Sequence, residues 1–125
     1  MTNELISVIK VHDLLLVTMP SDPDDATVAA LQEETLTAMD QHEVRGLILD
    51  LSKVEILDSY FARTVAETAQ MVGLMGGETV IAGMRPAVAI TATELGVTLG
   101  RTRTALTVER ALELAGQRNN ATRRR

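Results

Sequence analysis

From Val44 to Leu51 the chain reads VRGLILDL, and this run constrains the fold more than any other stretch. A strand with one wet face alternates apolar and polar residues. Leu47, Ile48, Leu49 and Leu51 do not alternate, so they read as a central strand buried in the protein. The run falls far short of the roughly 18 residues a membrane span needs. The rest of the chain must therefore supply neighbouring strands and covering helices.

The flanking patterns do so. Residues 4–11 (ELISVIKV) alternate, residues 14–19 (LLLVTM) are apolar, and His12-Asp13 is a short turn, so the chain opens with a hairpin. In PSDPDDATVAAL, Ser21 or Asp22 can cap a helix. Pro23 suits its first turn, and Asp24 and Asp25 face the positive end of its dipole. Val28, Leu31, Thr35, Ala38 and Met39 recur at helical spacing to about His42. A second helix is expected over 59–75, with Ala62, Val65, Ala66, Ala69 and Val72 inside. Tyr60, Arg63, Glu67 and Gln70 lie outside, and Gly76-Gly77 stops the helix. ETVIA (78–82) is a strand and GMRP a loop. Pro86 opens a third helix ending near Gly96, TALTV is a weak strand, and VERALELAG, capped by Thr107, is a last short helix.

This order predicts a single α/β domain: a small mixed β-sheet, hairpin first and then β-α repeats, with helices packed on it. Right-handed crossovers make the later strands parallel. Residues 1–116 form the domain, and 117–125 are expected to be a disordered basic tail.

Composition narrows the function. The net charge is −5, and Arg118, Arg123, Arg124 and Arg125 crowd the last residues; without them the body would be −9. An acidic body argues against nucleic acid and suits a protein partner with a basic face. The only Phe, Tyr or Trp residues are the adjacent Tyr60 and Phe61, so bases have little stacking platform. The absence of cysteine, of a signal-peptide pattern and of a membrane-length apolar run fits a cytoplasmic protein.

Enzyme motifs are missing. There is no G-x-S-x-G, Walker A, G-x-G-x-x-G or H-E-x-x-H sequence. His12 in the turn and His42 at a helix end read as surface residues. Asp22, Asp24 and Asp25 lack calcium-loop spacing. No catalytic residue, metal or cofactor is expected. A phosphorelay receiver domain competes, because Asp50 ends a central strand as a phosphoaspartate would. However, the first strand runs into a hairpin rather than an acidic pair, and no lysine follows Lys53. Asp50 is expected to bond loop amides instead.

Asp58-Ser59 remains, in EILDSYFAR. Either residue can be the helix N-cap. The same geometry makes Ser59 reachable by a kinase and places a phosphate at the positive end of the dipole. About −2 charge would then arrive beside Asp58 and Glu55 and expel a partner that needs this patch neutral and close-packed.

The hairpin, LILDLSKVEILDS, GGETVIAGMRPAVAITATELG and TALTVERALE together resemble a STAS domain, the fold of the anti-anti-sigma factors. The resemblance covers about residues 4–115 and is strongest to the small stressosome scaffold proteins of the RsbS type. It implies a non-enzymatic scaffold that joins sensor paralogues carrying a C-terminal STAS domain in a large hetero-oligomer, with self-association when alone. It implies that the particle sequesters a serine/threonine switch kinase. The kinase phosphorylates the serine matching Ser59 and leaves, and a phosphatase resets the site. Asp58, Tyr60, Arg63 and Arg85 are the expected partner-binding residues. Free anti-anti-sigma factors, the alternative, usually carry small residues after the serine, where this chain has Tyr60 and Phe61.

Overall fold

The computed structural model describes residues 5–96 and 102–123, with side chains as far as residue 116. The elements run β1 (Ser7–Val11), β2 (Leu14–Thr18), α1 (Asp25–Gln41), β3 (Gly46–Asp50), α2 (Ser59–Leu74), β4 (Glu78–Ala82), α3 (Pro86–Glu94), β5 (Arg103–Ala105) and α4 (Val108–Arg123). They make one five-stranded mixed sheet in the order β1-β2-β3-β4-β5. The β1–β2 pair is antiparallel and all later pairs are parallel.

The apolar run at β3 has the explanation its sequence demands. Leu47 and Leu49 belong to a core shared with α1, α2 and α3, through Leu31, Phe61, Val65 and Val88. Ile48 points the other way, into a second cluster with Val80, Ala111 and Ala115 of α4. Successive side chains of a strand face opposite ways, so a strand covered on both faces carries no polar alternation.

Several local expectations need correction. The cap of α1 is Asp24 rather than Ser21 or Asp22, and Pro23 precedes the helix. Asp24 is extended and its carboxylate accepts the Thr27 amide at 2.8 Å, while the Ser21 carbonyl is tied to the Glu55 amide in the loop. The weak strand TALTV shrinks to Arg103–Ala105, because Val108 already opens α4. Thr107 is the cap expected there, accepting the Arg110 amide at 3.1 Å. Helical backbone continues past Gly116 to Arg123, and extending a formed helix is far easier than starting one. The side chains of Arg118 and Arg123, and all of Arg124 and Arg125, lie outside the described residues.

Hydrogen bonds from the Thr27 backbone and then its hydroxyl hold the Asp24 carboxyl below the usual carboxylate range. A lowered folded-state value means the charged cap stabilises at neutral pH, and that contribution is lost as pH falls below about 4. Asp24→Asn keeps a good cap without a titrating group. It should shift the acid-unfolding midpoint downward relative to its own neutral-pH stability. An unchanged acid profile would place that sensitivity on other carboxylates.

Candidate functional site

Parallel strands deliver their following loops to one end of the sheet. The loop after β3 (residues 51–58) and the loop after β4 (residues 83–85) therefore lie side by side. The first is held by three buried anchors at a spacing of three: Leu51, Val54 and Leu57. Its backbone is tied at its start and midway along. Leu51 N–H donates to the Ala82 carbonyl at 2.9 Å, and Glu55 N–H to the Ser21 carbonyl at 3.0 Å. Asp50 accepts the Ser52 amide at 2.9 Å, the structural role expected of it.

Gly83 brings the second loop against the first. Its φ is 74°, and a Cβ there would stand 2.9 Å from the Ser52 Cβ. Both facts require glycine. Arg85 then reaches across. Its Nε donates to the Ser52 carbonyl at 2.9 Å, and a terminal nitrogen lies 4.0 Å from Glu55. Its carboxylate partner is thus Glu55 and not Asp58, whose oxygen is already committed to the Phe61 amide at 2.8 Å.

This settles the cap of α2. Asp58 is the N-cap, extended at φ −96° and ψ 176°, and Ser59 is the first helical residue, exposed. The amides of Ser59 and Tyr60 are first-turn donors beyond the reach of any intrahelical acceptor. Phe61 is 2% exposed and locks the first turn onto the core, while Tyr60 is 38% exposed. Ile56, 61% exposed, was not foreseen as part of this surface. Its signal was the anchor spacing: Leu51, Val54 and Leu57 point inward, so the remaining apolar residue must point out. Arg63 is exposed one turn after Ser59, on the same helix face.

The patch thus combines a free hydroxyl, two exposed apolar side chains, the acids Glu55 and Asp58, and the bases Arg63 and Arg85. It suits contact with a protein. Beside it a cleft of about 350 Å³ is lined by Ser7, Thr18, Ser21, Lys53, Glu55 and Arg85. Among the described residues, no group of acids and histidines is placed to hold a metal ion, and no helix is long and apolar enough to cross a membrane.

The Arg85–Glu55 pair is solvent-exposed on both sides, and such pairs contribute about 0–1 kcal/mol. Arg85→Ala should leave the melting temperature nearly unchanged and alter the rate or affinity of whatever protein uses the loop. A large loss of stability with unaltered binding would make Arg85 a loop brace only.

Known proteins share this fold. The STAS domain family matches residues 6–111. A serine-to-glutamate variant of RsbS from Moorella thermoacetica superposes with a TM-score of 0.82 at 30% identity, covering 92% of this chain and 97% of that one. A chain from the molecular architecture of the stressosome gives 0.79 at 32% identity, covering 89% and 96%. The anti-sigma factor antagonist SpoIIAA in its unphosphorylated form gives 0.75 at 18% identity, covering 90% and 96%, a likeness of fold. In sequence, the RsbT co-antagonist protein RsbRA of Bacillus subtilis is 25% identical over 92 residues, which are 74% of this chain and 34% of that protein. RsbRB of the same organism is 30% identical over 82 residues, 66% of this chain and 30% of that protein. The chain therefore spans about a third of the length of these co-antagonists. With the five-stranded mixed sheet, the exposed serine behind its aspartate cap and a family match over most of its length, this chain belongs to the STAS domain family.

Proposed function

We propose that this chain is a stressosome scaffold. It co-assembles with STAS-bearing sensor paralogues and holds a serine/threonine switch kinase against the patch around Ser59. Phosphorylation of Ser59 releases the kinase, and a phosphatase resets the site. One observation carries the reading: Asp58 does the capping, so among the described residues the exposed Ser59 hydroxyl holds no hydrogen bond on a firmly anchored loop. The likeness to RsbS and to a stressosome chain, and the co-antagonist names of the curated relatives, support the same direction. Arg63, at helical spacing from Ser59, and the first-turn amides offer a phosphate positive partners.

The test is co-elution. Mixed with a sensor paralogue and the kinase, the chain should enter a large particle. Addition of ATP should release the kinase, with the phosphate mapping to Ser59. Failure to join the particle, with binding to an anti-sigma kinase retained, would favour the free anti-anti-sigma factor. An unmodified chain that elutes alone would overturn both.

Tyr60 and Ile56 are the large apolar side chains beside Ser59. An exposed aromatic in a contact commonly contributes more than 1 kcal/mol. Tyr60→Ala should weaken kinase or paralogue binding by about fivefold or more at an almost unchanged melting temperature. Normal binding to both would remove Tyr60 from the interface.

A further inference from the structure

Ser7 and Thr18 are cross-strand partners at the end of the β1–β2 pair. Alternation puts both on the sheet face of Leu16, the face that α4 covers. There α4 packs on β3, β4 and β5, and Ser7 stays exposed beyond it. The loops after β3 and β4 close the far side, and the cleft of about 350 Å³ lies between them and this strand pair. That volume is at the small end of the range for ligand pockets.

Two cations enter the cleft from the loops, Lys53 and Arg85. Both have a fixed base. Lys53 stands between Leu51 and Val54, which are buried, and the Val54 amide donates to the Leu51 carbonyl at 3.0 Å. Arg85 is held through Nε, which donates to the Ser52 carbonyl. Neither cation is neutralised by a close partner. Lys53 forms no ion pair among the described residues. The terminal nitrogen of Arg85 is 4.0 Å from Glu55, too far for a hydrogen bond. Where this chain uses arginine to brace its fold the contact is direct: Arg45, Arg103 and Arg110 hold carboxylates at 2.6, 2.8 and 3.0 Å. In an acidic protein, then, one cleft sets two cations against the single acid Glu55.

The rest of the lining limits what those cations hold. Lysine and arginine donors together suit a phosphate. The volume exceeds that of a phosphate alone, and the hydroxyls of Ser7 and Thr18 can meet a polar, hydroxyl-bearing body. No Phe, Tyr or Trp lines the cleft, so a nucleobase would have nothing to stack on.

We propose that this cleft binds a small phosphomonoester of a polyol, with its phosphate on Lys53 and Arg85 and its hydroxyls toward Ser7 and Thr18. The proposal does not depend on the kinase reading, because it needs neither Ser59 nor a protein partner.

Amide NMR titrations of the whole chain with glycerol 3-phosphate, inorganic phosphate and glycerol test it. Glycerol 3-phosphate should shift the amides around residues 7, 18, 53 and 85, bind about threefold or more tighter than inorganic phosphate, and weaken as salt is raised. Glycerol alone should shift nothing. Lys53→Ala should raise the dissociation constants of both phosphates about fivefold or more. Thr18→Val keeps the side-chain shape; it should raise that of glycerol 3-phosphate about threefold and leave that of inorganic phosphate unchanged. Lys53 is exposed, so its variant should melt with the parent. Shifts that miss these four positions, or Lys53→Ala binding like the parent, would overturn the proposal. Equal affinity for the two phosphates would do so as well, since it would mark simple charge pairing at exposed cations.

Discussion

Truncating Phe61 to alanine is expected to lower the unfolding free energy by about 3–5 kcal/mol, out of a total of about 5–15. Phe61 is the largest fully buried side chain and lies in the main core with Leu49, Leu57 and Val65. Its removal withdraws apolar area from burial and leaves a ring-sized void that close-packed neighbours fill only in part. The melting temperature should fall by more than about 10 °C, and Phe61→Leu, which keeps much of the volume, should lose clearly less. The position also ties stability to function. Phe61 is the residue whose amide Asp58 caps, so loosening it frees the turn that presents Ser59 and Tyr60. A truncation that melts within a few degrees of the parent would mean that the first turn of α2 is not held by this ring.

The second large effect is on recognition rather than stability. Ser59→Asp places a charge at the first residue of α2, where the helix dipole favours it by about 0.3–1 kcal/mol. The fold should therefore be as stable as the parent, or slightly more so. Under the proposed function the kinase would meet a charge added to Glu55 and Asp58, and its affinity should fall about tenfold or more. An aspartate carries less charge than a phosphate, so full phosphorylation should release the kinase more completely. Ser59→Ala separates the two roles. Because Asp58 is the cap, losing the hydroxyl should change stability by no more than about 0.5 kcal/mol. The alanine variant should bind the kinase as the parent does and keep it after ATP is added. Calorimetry and binding isotherms for the pair, beside phosphosite mapping of the parent, read all of this. If both variants bound like the parent and the phosphate mapped elsewhere, Ser59 would be only the first residue of a helix.

Arg85 shows where reading along the chain stopped. Parallel β3 and β4 were enough to bring its loop beside the Ser59 loop, and the structure agrees. Its partner within that loop is not legible along the chain. The choice among Ser52, Glu55 and Asp58 depends on how far each stands across two loops. The strand register and the close approach at Gly83 set that distance.

By itself the sequence determined a buried strand within 44–51, where β3 spans Gly46–Asp50, the bounds of α2 to within a residue, and the place of Tyr60 on its outer side. These are local matters, since side-chain periodicity, glycine stops and an aspartate-serine pair act within a turn or two of the chain. Only the tertiary structure decided between Asp58 and Ser59 as cap and moved the α1 cap to Asp24. In each case neighbouring residues were chemically able to fill the role. The choice fell to whichever backbone position the packed sheet and its anchored loops held at bonding distance.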